Sequence, residues 1–145
     1  MLLRDERQMS VNAVEKLCFE TADHYDAAAS GLGQDHMSQV FVSLAEERRR
    51  LAAELAVHIH ALDDLPQQPD PDRETMSHML AGIKGLLSGD VRASMVADCE
   101  RGEESLASAV HAALRQDLPD EMQETLRRIL AHAERAQREL AGMHS

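Results

Sequence analysis

Tryptophan is absent from this 145-residue chain, and Phe19, Tyr25 and Phe41 are its only aromatic residues. Aromatic and β-branched side chains are what pleated sheets are usually built from, so their scarcity argues against an all-β fold. Two cysteines and four prolines are present. Cys18 and Cys99 form no Cys-x-x-Cys pair, and the eight histidines complete no zinc-finger spacing. Positive charge is also short: 15 Lys and Arg stand against 26 Asp and Glu, a net charge of −11. That balance speaks against binding to nucleic acid or to an anionic membrane, since both need a basic surface. No apolar run approaches the roughly 18 residues that a membrane span requires. The opening residues, Met1-Leu2-Leu3-Arg4-Asp5-Glu6-Arg7-Gln8, are charged early and hold no apolar stretch. No secretory signal is therefore expected, and a cytoplasmic protein with two buried, reduced thiols is the reading.

What remains is a helical composition, dominated by Ala, Leu, Glu, Arg and Gln. At about 100° per residue, apolar residues line up in four long stripes. The first helix is expected over residues 10–30, with Val14, Leu17, Cys18, Thr21, Tyr25 and Ala28 on one face, and Gly31-Leu32-Gly33 as its stop. The second is expected over residues 34–63, through Met37, Phe41, Leu44, Leu51, Leu55 and Leu62. Pro66, Pro69 and Pro71 then impose an extended connection. A short helix is expected over residues 74–87, with Met76, Met79, Leu80, Ile83 and Leu87 on its apolar face. A third long helix is expected over residues 91–116, capped by Asp90. The fourth runs from near Pro119 to Gly142, with Met122, Leu126, Ile129, Ala133, Ala136 and Leu140 as its seam and His132 at its flank. Residues 1–145 thus read as one all-α domain. About 26 residues join helices two and three, far more than a hairpin needs, so a long crossover that makes those two helices parallel is expected.

Two charges interrupt the apolar seams. Glu103 shares a face with Val96, Cys99, Leu106, Val110 and Ala113, and Arg48 lies between Leu44 and Leu51. A buried carboxylate without a partner costs several kcal/mol or more. Two partners answer the need: a metal ion, or an arginine from another helix. Arg48 and Glu103 each fall roughly 13 or 14 residues into their helices, so parallel helices would bring them level. A structural Arg48–Glu103 pair is the leading expectation. The alternative is a carboxylate-bound iron or manganese centre using Glu47, Glu100 and Glu103. A di-metal bundle site needs inward carboxylates from several helices and two Glu-x-x-His pairs, and the chain has no Glu-x-x-His. The His-Met neighbours His36-Met37, His78-Met79 and Met143-His144 are dispersed over different segments.

The segment Asp98-Cys99-Glu100-Arg101-Gly102-Glu103-Glu104, followed by Ala112-Ala113-Leu114 and Asp117-Leu118-Pro119, resembles a bacterial ferritin-like family of unassigned function. Tyr25 with Ala28-Ala29, Leu44-x-x-Glu47-Arg48 with Glu54-Leu55, Ile83-Lys84 and Gly89-Asp90 extend the likeness over nearly the whole chain. Leu80 and Val110 stand where that family usually has aromatics, and Gln137 where it often has His. The resemblance implies a ferritin-like four-helix bundle and brings Tyr25 and Asp98 forward as companions of the Arg48–Glu103 pair. It implies no reaction. The expected role is a non-catalytic bundle protein without cofactor. Beside it stand an iron or manganese protein (storage or oxidoreductase) and an oligomeric stress-related module that self-associates through residues 74–87. No nucleic-acid or membrane partner is expected.

Overall fold

Four long α-helices make up the computed structural model of the protein, which describes residues 2–32, 36–63 and 89–143. They are α1 (Leu2–Leu32), α2 (His36–Asp63), α3 (Gly89–Leu114) and α4 (Asp120–Gly142). Among the described residues there is no strand, so the fold is an all-α four-helix bundle. The short helix expected over residues 74–87, and the proline-rich connection before it, lie outside the described residues.

The helices form where the apolar stripes run, with shifted ends. α1 begins at Leu2, eight residues before the expected Ser10, because Arg4 through Met9 contains only helix-compatible residues and no Gly or Pro. α3 begins at Gly89, so Asp90 falls inside its first turn instead of preceding it as a cap. It ends at Leu114, where the amides of Arg115 and Gln116 bond back to Ala112 and Ala113 in a tightened last turn. Pro119 (φ −58°, ψ 149°) occupies the N-cap position of α4, and Asp120 and Glu121 set negative charge against the positive end of that helix.

Two apolar clusters fix the directions of the helices. One joins Val11, Val14 and Cys18 of α1 to Leu55 and Ile59 of α2, Leu106 and Val110 of α3, and Met122, Leu126 and Ile129 of α4. The other joins Ala22, Tyr25 and Ala28 of α1 to Phe41 and Leu44 of α2, Val96 and Cys99 of α3, and Ala136 and Leu140 of α4. The first half of α1 thus packs with the second halves of α2 and α3 and the first half of α4. It follows that α2 and α3 run parallel to each other and antiparallel to α1 and α4. The chain between Asp63 and Gly89 joins opposite ends of the bundle, as a crossover must.

α1 packs on α2 and α3, and α4 packs on the same two helices, while α2 and α3 are diagonal. The α1–α2 seam is the most extensive and the α2–α4 seam the least. Between the two apolar clusters lies a thin polar layer, and it contains the buried charges.

Candidate functional site

Each helix sends at least one polar side chain into this layer. Arg48 comes from α2, between the core residues Leu44 and Leu51 on the same stripe. Its neighbours one turn away, Ala45 and Ala52, are fully buried and small, which leaves interior volume for the long arginine. Glu103 comes from α3, between Cys99 and Leu106. Both Arg48 and Glu103 are 0% exposed. They sit on diagonal helices, so only a side chain as long as arginine closes the gap.

The guanidinium is distributed among three helices. Its Nη2 donates to both carboxylate oxygens of Glu103, at 2.9 and 3.0 Å. Its Nη1 donates to the Thr21 hydroxyl of α1 at 2.7 Å. Its Nε donates to Nδ1 of His132 on α4 at 3.0 Å. Thr21 in turn lies 2.8 Å from the Leu17 carbonyl oxygen and 3.1 Å from that of Cys18, so its proton stays within α1 while its oxygen accepts from Arg48. Tyr25 donates its phenol proton to Oε2 of Glu103. The Tyr25 ring stacks on Phe41, with centroids 5.6 Å apart. A charge pair desolvated to this degree persists only when its remaining hydrogen-bonding groups are also satisfied, and here Thr21, Tyr25 and His132 supply those partners.

The environment acts on each titratable neighbour. Burial, reinforced by the Glu103 carboxylate, holds the Tyr25 phenol well above its ordinary range. Burial pushes the thiols of Cys18 and Cys99 up to about 12. Both cysteines are free and buried, one in each apolar cluster. Thiols so placed are poor nucleophiles. Burial and the adjacent Arg48 push His132 down to about 4, against a smaller opposing pull from Glu47. His132 is therefore a neutral imidazole near pH 7.

Glycine at position 102 contributes to the geometry. A Cβ there would lie 3.2 Å from the Thr21 methyl group, so α1 and α3 approach closely beside the hub because residue 102 has no side chain. A cavity of about 460 Å³ opens on the outer side of this contact, lined by residues that include Ala28, Met95, Cys99 and Gly102.

The structure brings together Arg48, Glu103 and Tyr25, and it separates the other residues singled out in the sequence. Asp98 is exposed and pairs with Arg101, one turn along the surface of α3. It does not reach the hub, because it lies about 100° round the helix from Cys99 and well off the Glu103 stripe. Glu47 is turned to the α2–α4 edge, where it pairs with Arg135 at 2.6 Å. Glu100 is half-buried on α3. Glu47, Glu100 and Glu103 do not converge. Among the described residues no three His, Cys, Asp or Glu side chains form a group that could hold a metal ion. Both oxygens of Glu103 are engaged by Arg48 and Tyr25.

His132 corrects the sequence reading. It was expected at the flank of α4 and is instead 3% exposed, bonded to the guanidinium. The signal was present: His132 lies three residues after Ile129 and four before Ala136, both on the buried seam. Thr21 was visible on the apolar face of α1, but nothing in the pattern marked it as an acceptor for Arg48.

Among the described residues, no helix is long and apolar enough to cross a membrane. Comparison with curated proteins and with solved structures finds no match. Residues 10–116 match a family described as a domain of unknown function, DUF2383. The matched stretch takes in Thr21, Tyr25, Arg48, Glu103 and Gly102 and stops before α4, which carries His132. Since the match spans well over half of the chain, the protein belongs to the DUF2383 family.

Proposed function

We propose that the protein is a non-catalytic bundle of ferritin-like architecture, working in the cytoplasm, whose interior charge hub specifies one helix arrangement and needs no cofactor. One observation carries this reading. Arg48 is fully buried, its three nitrogens donate to residues on the three other helices, and both oxygens of its counter-ion are already engaged. A substrate or metal would have to displace that pairing and strand a buried guanidinium, which typically costs about 3–5 kcal/mol. The parallel α2–α3 diagonal and the crossover linking them support the ferritin-like assignment. The hub then acts as a register mark, the best-attested use of buried polar groups in helical bundles.

Iron and manganese binding are tested directly. The purified protein, incubated anaerobically with Fe(II) or Mn(II) and then desalted, is expected to retain less than stoichiometric metal by elemental analysis. One or two ions per chain, lost in Glu103→Gln, would overturn this reading in favour of a metalloprotein. The apolar face Met76, Met79, Leu80, Ile83 and Leu87, seen in the sequence, supports a second element of the proposal: self-association through residues 74–87.

A further inference from the structure

The least extensive seam of the bundle, between α2 and α4, opens into a groove of about 520 Å³. Four arginines line it: Arg50 from α2, and Arg128, Arg135 and Arg138 from α4. Two carboxylates share the groove, Glu47 paired with Arg135 at 2.6 Å and Glu54 paired with Arg128 at 2.7 Å. Arg50 and Arg138 have no carboxylate within ion-pair distance among the described residues, so the groove has an excess of two positive charges. On a chain of net charge −11 this is a local reversal of sign.

The floor of the groove is His132. Arg48 occupies its inner nitrogen, Nδ1. A guanidinium N–H can only donate, so Nδ1 accepts and the imidazole proton resides on Nε2. That outer nitrogen is buried, has no hydrogen-bond partner, and stands 3.7 Å from the Glu47 carboxylate, too far for a hydrogen bond. A buried N–H without a partner is costly in a native interior. The charged group beside it is the Glu47 carboxylate, itself paired with Arg135, so an anionic oxygen from a ligand that drew Arg135 away from Glu47 could complete it.

We propose that this groove binds a small oligophosphate, with His132 Nε2 as the neutral donor at its base and Arg50 and Arg138 as the free cations. The volume lies in the range of small-molecule sites and exceeds what one chloride or one carboxylate would fill. Planar, multi-donor guanidinium groups match phosphate oxygens. Among the described residues that line the groove, Leu51 and Ala131 are the only apolar ones and none is Phe, Tyr or Trp, on which a base could stack. Recognition therefore falls on the anionic oxygens alone. Glu47 is a competitor built into the site: its carboxylate holds Arg135 beside the place where an oligophosphate oxygen would sit.

The experiment is calorimetric titration of the full chain with tripolyphosphate, pyrophosphate, inorganic phosphate and citrate at low and at moderate ionic strength. Affinity is expected to fall in that order. Arg50→Ala with Arg138→Ala should weaken tripolyphosphate binding at least about tenfold, while Arg115→Ala with Arg127→Ala, an equal change of charge at exposed positions outside the groove, should leave it unaltered. Glu47→Gln should tighten it. In ¹⁵N spectra of histidine-labelled protein, tripolyphosphate should move the Nε2 resonance of His132 more than its Nδ1 resonance, a readout that does not depend on any variant folding. Absence of binding by the native chain, equal binding by the Arg50/Arg138 variant, or citrate binding as tightly as tripolyphosphate would each overturn the proposal. None of these outcomes bears on the structural role of the Arg48–Glu103 pair.

Discussion

Arg48 Nε and His132 Nδ1 face each other at 3.0 Å, and only one of the two carries a proton. Protonating His132 would set an imidazolium N–H against a guanidinium N–H inside the core. Burial, reinforced by that opposition, is why its titration is pushed down to about 4.

An acid-sensitive stability follows. In the unfolded chain a histidine titrates near pH 6.5. As pH falls from about 6.5 to about 4, the unfolded state takes up a proton at this position and the folded state does not, so stability falls with pH across that window. The contribution is complete above about pH 6.5. Arg48, Arg50 and Arg135 hold the imidazole neutral, and Glu47 opposes them. The Glu47 carboxyl is itself held below its usual range, chiefly by Arg135, which adds a loss of stability of the same sign at lower pH. Urea midpoints measured from pH 7.5 to pH 4.5 should decline for the native sequence and decline less steeply for His132→Gln. Parallel curves would place the sensitivity elsewhere.

Arg48 and Glu103 should be strongly coupled. Arg48→Met alone leaves a buried carboxylate with only Tyr25, and Glu103→Leu alone leaves a buried guanidinium with only neutral partners. Each is expected to lose about 3–5 kcal/mol. The double variant should recover much of that, because replacement of a buried pair by apolar groups of similar volume is often neutral. A double-mutant cycle on urea midpoints provides the coupling energy, and additivity within about 0.5 kcal/mol would mean that the contact contributes nothing specific.

The chain has a single tyrosine and no tryptophan, so its phenol absorbance reports on the hub alone. Tyr25 donates to Glu103 and is held well above the ordinary phenol range by burial and that carboxylate. Alkaline titration should show no tyrosinate near pH 10, the ordinary value, and tyrosinate should rise only as helical circular dichroism is lost. Tyr25→Phe should cost about 1.5–3 kcal/mol, the range for a hydrogen bond to a charged group. Ionisation at about pH 10 with the helices intact would show the phenol to be open to solvent.

The sequence was most readable where one rule acted alone. The α4 seam, Met122 through Leu140, is buried residue for residue as its periodicity indicates. The depth match of Arg48 and Glu103 was legible because helical rise converts residue number into distance. His132 stands at a flank on an isolated helix wheel and becomes interior once α2 covers it, a neighbour the wheel does not show. Asp98 belongs to the motif, but its angle on α3 takes it out to solvent. Periodicity places the start of α1 too late because the apolar stripe fades before Ser10, although nothing in residues 2–9 opposes a helix.

The distribution of the hub over four helices bears on how the chain can be divided. α1 and α2 share the most extensive seam, and together they already hold Tyr25, Thr21 and Arg48. Such a hairpin is where the most local contacts between helices would form first. Here it carries a guanidinium in its apolar interface whose counter-charge lies beyond the crossover, on α3. Until Glu103 docks, the first half of the protein contains an uncompensated cation, so neither half gains from assembling early. A partly folded form that buried Arg48 without Glu103 would be penalised, which favours one cooperative transition of both hairpins.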